Sequence, residues 1–275
     1  GLIDVMTLDM KPEKEVIRKS SAGADPYYIY EYKKSFGFGE QSPRNMLQLN
    51  QGNSVSGNTR FSELARYSGV EATDWSWSVL LADYDNDGNK DIYITNGILR
   101  RPNDLDYINY DYPIKAGKVP SLQLVNKMPE GKIPNYAYRN QGNLKFENVS
   151  KEWGLDLTGC SMGAAYADFD NDGDLDLVIN NLDAPSTLYK NNAESTDNNY
   201  LKVKLEGADK NPYGIGAKVE VKLKEKTLIQ EMFPVRGWLS SSDYTLNFGL
   251  GETPEVEYLK VYWPDGKMQK LEDVN

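Results

Sequence analysis

The sequence contains no histidine and a single cysteine. Without histidine, Ser-His-Asp and Cys-His catalysis and the usual His-containing zinc sites are excluded within the chain. Cys160 has no partner for an internal disulfide, and its apolar-small run with Met162 and Ala164 reads as a buried structural thiol in a strand. No apolar run reaches the roughly 20 residues needed to cross a bilayer, so no transmembrane segment is expected. Positive charge is also short: 31 Lys and Arg stand against 41 Asp and Glu, a net charge of −10. Nucleic acid is therefore not the expected partner, because phosphate binding needs a surplus of Lys and Arg. Nearly all of the deficit, −9, falls on residues 1–199. Such an excess of carboxylate suits a cation binder, a solvated acidic surface being the other reading.

What the chain has in quantity is repetition. Asp83-Tyr-Asp-Asn-Asp-Gly-Asn-Lys-Asp91, followed by Ile92-Tyr-Ile-Thr-Asn96, returns 85 residues later. There it reads Asp168-Phe-Asp-Asn-Asp-Gly-Asp-Leu-Asp176, followed by Leu177-Val-Ile-Asn-Asn181. The flanks recur too: Asn50-Gln-Gly-Asn53, Phe61 and Gly69 match Asn140-Gln-Gly-Asn143, Phe146 and Gly154. Gly1-Leu-Ile-Asp4-Val-Met-Thr7 aligns with the closing half of both loops, which suggests a piece of a longer protein. This half-loop is expected to hold no tightly bound ion by itself, while Val5 to Leu8 still pairs into a first blade.

Trp75, Trp77, Val79 and Leu81 alternate with smaller residues before the first loop, and a β-branched and aromatic run follows it. Short strands joined by Gly/Asn/Asp turns predict an all-β fold of β-propeller-type blades over residues 1–198, forming a partial propeller. Residues 98–134, with several prolines, read as a long irregular insertion carrying a helical turn. From residue 199 the alternation changes. Leu201, Val203 and Leu205, then Val219, Val221 and Leu223, alternate with charged residues. Residues 199–275 therefore read as a separate, small antiparallel β-sandwich-like domain.

Each aspartate loop has the composition of a calcium site. Calcium takes six to eight hard oxygen ligands at roughly 2.3–2.6 Å. Carboxylates at positions 1, 3 and 5 can point inward, glycine at position 6 permits the turn, position 7 offers its carbonyl and position 9 closes the shell. The expected ligands are Asp83, Asp85, Asp87, the Asn89 carbonyl and Asp91 in one loop. In the other they are Asp168, Asp170, Asp172, the Asp174 carbonyl and Asp176, giving two Ca2+ sites. An EF-hand is rejected, since position 12 is Ile94 or Ile179 inside a strand instead of a glutamate. Magnesium fits less well because it resists dehydration. Being 85 residues apart on different blades, the loops are expected to act independently.

The loops and their flanks resemble FG-GAP/VCBS repeats, the blades of integrin-like β-propellers. Residues 199–275 resemble the ASPIC/UnbV domain through Gly214-Ile-Gly-Ala217, Arg236-Gly-Trp-Leu-Ser-Ser241, Phe248-Gly-Leu-Gly251 and Trp263-Pro-Asp-Gly266. Asn247 departs from the histidine usual in that family. The resemblance implies an exported protein of bacterial surface type, extracellular or associated with the outer membrane. Gly214-x-Gly216 lacks the third glycine of a dinucleotide fingerprint. Arg236-Gly-Trp-Leu-Ser reads as a turn burying Trp238, a ligand-binding loop being the alternative; Trp75 and Trp77 read as blade-core residues, sugar stacking being theirs. The expected function is a non-enzymatic, calcium-stabilised binding or scaffold module whose partner is a protein or glycan ligand at the cell surface. The alternatives are a carbohydrate-active enzyme using an Asp/Glu pair and a subunit of a larger outer-membrane assembly for glycan or nutrient uptake.

Overall fold

The computed structural model describes residues 2–23, 26–39, 42–111, 125–208, 210–252 and 255–274. The chain is all-β, built from antiparallel sheets. A first sheet joins β1 (Val5–Thr7), β2 (Met46–Asn53) and β3 (Thr59–Glu63), with β1 at its edge. The strand expected after the half-loop thus pairs as anticipated, Met6 lying opposite Leu47. In the second sheet, β4 (Ser76–Ala82) pairs through the first aspartate loop with β5 (Asp91–Asn96). Two small ladders follow: β6 (Ile98–Arg100) pairs with β7 (Glu130–Gly131), and β8 (Ile133–Pro134) with a later strand. Strands β9 (Tyr136–Asn140) and β10 (Phe146–Asn148) then complete the second sheet in the order β10-β9-β5-β4. The partner of β8 is β11 (Thr158–Gly159), and the third sheet is β12 (Ser161–Ala167), β13 (Asp176–Asn181) and β14 (Thr187–Tyr189).

The period of two explains how these sheets stack. Every residue of β5 is buried, so both of its faces are covered. Ile92 and Ile94 point into a core shared with the first sheet, where Met6, Leu47, Ala65 and Val70 meet Tyr136 and Tyr138. Tyr93, between them, points to the opposite face, into a core with Leu80, Ala164, Leu177 and Ile179 that joins the third sheet. Each sheet is therefore covered by the next, as in propeller blades.

Helix is confined to short segments. The insertion read at 98–134 contains β6, α3 (Leu105–Asp111), β7 and β8, while its residues 112–124 lie outside the described ones. A matching excursion between β1 and β2 holds α1 (Glu15–Ser20) and α2 (Tyr27–Ser35), which the sequence pattern did not reveal. The two excursions meet: Ser21 bridges to Asp104, and the Tyr136 hydroxyl donates to Glu13 at 2.5 Å. Both leave the blades at the end opposite the aspartate loops, because β4-loop-β5 is a hairpin. Buried Arg101 pairs with Asp74 at 2.8 Å beneath them. Among the described residues no helix is long and apolar enough to cross a membrane.

The last strands form a two-layer unit. β15 (Asn199–Lys204) pairs with β18 (Thr245–Gly251), facing a sheet of β17 (Thr227–Glu231), β16 (Lys218–Leu223), β19 (Val256–Tyr262) and β20 (Met268–Val274). Val219, Val221, Leu246, Phe248, Leu259 and Val261 fill the space between them as a third core.

Candidate metal centre

The two aspartate loops share their principal hydrogen bonds. Asp83 Oδ2 accepts from the Gly88 amide at 2.8 Å, and Asp168 Oδ2 from the Gly173 amide at 3.0 Å. These bonds curl each loop over its position-6 glycine, whose φ is 82° in one and 99° in the other. The closing aspartate is held at both oxygens. Asp91 Oδ2 accepts from the Tyr84 amide and its Oδ1 from the Asn140 amide; Asp176 does the same with Phe169 and Asn191. Asp4 repeats half of this pattern, its Oδ1 accepting from the Asn50 amide at 2.8 Å. Asn50, Asn140 and Asn191 also donate from Nδ2 to the carbonyl just before the closing aspartate. These asparagines are part of the loop apparatus. The sequence had exposed two of them as recurring flanks, but Asn191 lacks the Gln-Gly that follows the others.

Ligand atoms of Asp83, Asp85 and Asp91 lie within 4.8 Å of one another, and so do those of Asp168, Asp170 and Asp176. Asp83 Oδ1 and Asp168 Oδ1 are buried with no hydrogen-bond partner. Burial, with the neighbouring charges of Asp87 and Asp85, pushes Asp83 up to about 7. Burial likewise pushes Asp91 up to about 8 and raises Asp85, next to Asp87. In the second loop Asp170 is exposed, and the hydrogen bond from Lys190 holds its carboxyl below the usual range. Packed carboxylates with an orphaned oxygen in each loop nonetheless form an oxygen-only donor set that fits a hard cation. The position-5 residues stand outside these groups. Asp87 Oδ1 accepts from the Asn89 amide at 2.6 Å, and Asp172 Oδ1 from the Asp174 amide at 3.3 Å.

The final sheets rest directly on these loops. Gly251 donates from its amide to Asn86 O at 2.9 Å, and Lys226 Nζ reaches Gly88 O at 2.5 Å and Asn89 Oδ1 at 2.8 Å. A Cβ at Gly249 would stand 2.2 Å from Asp83 Oδ2, so β18 touches the first loop with its bare backbone. On the second loop, Lys202 Nζ lies 2.6 Å from Asp168 Oδ2 and Asn247 Nδ2 donates to Gly173 O at 3.0 Å. Asn86 Nδ2 donates to the same carbonyl at 3.3 Å. Although the loops lie 85 residues apart in sequence, the blades stack so that the two touch.

Residues 207–275 match the ASPIC and UnbV family, and residues 128–179 match the FG-GAP-like repeat. The chain carries FG-GAP-like repeat sequence and a C-terminal ASPIC and UnbV domain. Cartilage acidic protein 1 of Mus musculus is 28% identical over 256 residues, covering 82% of this chain and 38% of its own. The Xenopus tropicalis protein of that name is 25% identical over 229 residues, covering 82% and 30%. The Homo sapiens one is 29% identical over 134 residues, covering 47% and 20%. The chain thus spans well under half the length of these relatives.

The ASPIC and UnbV domain also sends its Arg236-Gly-Trp-Leu-Ser segment between blades. The Trp238 amide donates to Ser78 Oγ of β4 at 2.9 Å, and its ring packs on Trp77 at 5.2 Å. The expected burial of Trp238 is not found: it is 41% exposed. Trp75 and Trp77 likewise do not fill blade cores but line, with Trp238, a cavity of about 580 Å³. In β4 the buried positions are Ser78, Leu80 and Ala82, so Trp77 lies on the other face of the strand. Cys160 is buried, as read, but lies between β11 and β12 and not inside a strand.

Proposed function

We propose that this chain is a calcium-stabilised binding or scaffold module working outside the cytoplasm, with no catalytic activity of its own. The observation that carries this reading is the buried, unpartnered Oδ1 of Asp83 and of Asp168, each within a cluster of carboxylates. Bound calcium would neutralise charges that otherwise repel. Asp83, Asp85, Asp87 and Asp91 with the Asn89 carbonyl would hold one ion. Asp168, Asp170, Asp172 and Asp176 with the Asp174 carbonyl would hold the other. Because β18 and Lys226 rest on the first loop, and Lys202 and Asn247 on the second, an ordered loop also fixes how the ASPIC and UnbV domain sits on the blades. The partner is a protein or glycan presented at the cell surface, met by the insertions at the opposite end of the blades. An Asp/Glu hydrolase is disfavoured because the clustered carboxylates are engaged in the loops.

Calcium that binds the folded loops and not the unfolded chain stabilises by about 2.7 kcal/mol per site at roughly 100 times its dissociation constant. Two sites correspond to a shift on the order of 10 °C for a chain of this size. EDTA should lower the melting temperature by that order, with calcium restoring it and magnesium restoring much less. Indifference to EDTA would overturn the reading.

A further inference from the structure

We propose that the second loop region holds a further divalent cation, bound between Asp172, Asp174 and Glu194. Ligand atoms of these three carboxylates lie within 4.8 Å of one another, in a group separate from Asp168, Asp170 and Asp176. The second observation is Asp174 itself. It is 1% exposed, yet its Oδ1 has no hydrogen-bond partner. Its Oδ2 is turned toward the short turn Ala193–Ser195, accepting from the Glu194 amide at 3.2 Å. A carboxylate removed from water without a counter-charge is expensive, and such groups in proteins are paired or bind metal.

The first loop supplies the comparison. There position 7 is Asn89, which is neutral, and an ammonium already sits on it: Lys226 Nζ is 2.8 Å from Asn89 Oδ1. Asn89 Nδ2 in turn donates to Asp87 Oδ2 at 2.9 Å. The second loop replaces that asparagine with a third clustered acid. Among the described residues no Lys or Arg pairs with Asp174 or Glu194. Lys190 is the nearby ammonium; it pairs with Asp170 Oδ2 at 2.5 Å and with Asp172 Oδ2 at 3.2 Å, and reaches neither Asp174 nor Glu194. The ammonium that Lys226 brings to position 7 of the first loop thus has no counterpart at position 7 of the second, although Lys190 and Lys202 pair with other aspartates of that loop. Three carboxylate oxygens are hard donors suited to calcium. Glu194 is exposed, so water can complete the shell on that side. Asp172 would face both the loop ion and this one. An ion here would tie the Ala193–Ser195 turn to the loop, immediately before the chain enters β15 and the C-terminal domain.

The inference rests on the second loop taking the calcium-binding form described above, and one experiment separates the two. Equilibrium dialysis of the full chain at millimolar calcium should count three ions, and two in Glu194→Gln and in Asp174→Asn. Far-UV circular dichroism checks that the variants remain folded; Glu194→Gln changes an exposed side chain and leaves the loop sequence intact. A count of two in all three proteins overturns the further site and leaves the two loop sites standing. A count of three that neither substitution lowers also overturns it. A count of zero overturns both readings.

Discussion

The first and second aspartate loops share the hydrogen bonds that curl and close them, yet differ in what covers them. The first lies under glycine: Gly249 and Gly251 bring the β18 backbone onto Asp83, Asn86 and Asp87. The second lies under long side chains, with Lys202 on Asp168, Lys190 on Asp170 and the Tyr200 ring against Gly173. The nine-residue motif therefore dictates the internal wiring, while the neighbouring strands decide how open the loop is. The first is closed by backbone, which cannot swing away. The second is closed by flexible side chains that can.

The sharpest way to test that contrast is Gly249→Ala. A Cβ there would stand 2.2 Å from Asp83 Oδ2 and 2.6 Å from Asn86 backbone atoms, so strand or loop must shift. Overpacking of this kind costs about 1–3 kcal/mol, or on the order of 5 °C in melting temperature. Gly159→Ala, where the added Cβ meets nothing within 4 Å, is the control. Its effect should stay within about 0.5 kcal/mol. Equal melting of the two variants would show that β18 does not press on the loop.

A second test asks whether the loops are separate at all. Asn86 of the first donates to Gly173 O of the second, so a disturbance in either has a direct route to the other. Asp83→Asn and Asp168→Asn should then be non-additive, with a coupling of at least about 0.5 kcal/mol in a double-mutant cycle with calcium present. Additivity within about 0.3 kcal/mol would restore the independence that their separation in sequence suggests.

That contact marks the limit of what the sequence carried. The loops, β4, β5, β12 and β13 were legible because a hairpin writes its ligands and its period-two strands into one short stretch. The C-terminal sheet was legible for the same reason, Val219 and Val221 alternating with lysine and glutamate. Contacts such as Asn247 to Gly173 were not, because a hydrogen bond spanning 74 residues leaves no local pattern. Asn247 had drawn notice only as a departure from its family; in the fold it is one of the groups fastening the C-terminal domain to the second loop. The excursion carrying α1 and α2 was missed because neither helix buries a residue, so no apolar periodicity announces them. Trp75 and Trp77 misled for a related reason: alternation identifies a strand face without saying whether a core or a cavity lies beneath it.

The smallest expected effect bears on the side-chain cover of the second loop. Lys202 Nζ sits 2.6 Å from Asp168 Oδ2 and places a positive charge on the carboxylate whose Oδ1 should face a cation. Like charges near a partly solvated site oppose each other by a fraction of a kcal/mol to about 1 kcal/mol. Lys202→Met removes that charge while keeping the aliphatic stem. Calcium should therefore bind the second loop about threefold more tightly, by an amount that shrinks as salt rises. Lys226→Met makes the same change at the first loop. Its ammonium donates to Gly88 O and Asn89 Oδ1 without pairing with a loop carboxylate, so its loss unfastens the C-terminal domain with less electrostatic gain for the ion. The two substitutions should move calcium affinity unequally, upward for Lys202→Met and little or downward for Lys226→Met. Calorimetric titration at low and high salt separates the cases; identical shifts would mean that net charge, and not the distinct cover of each loop, governs the ions.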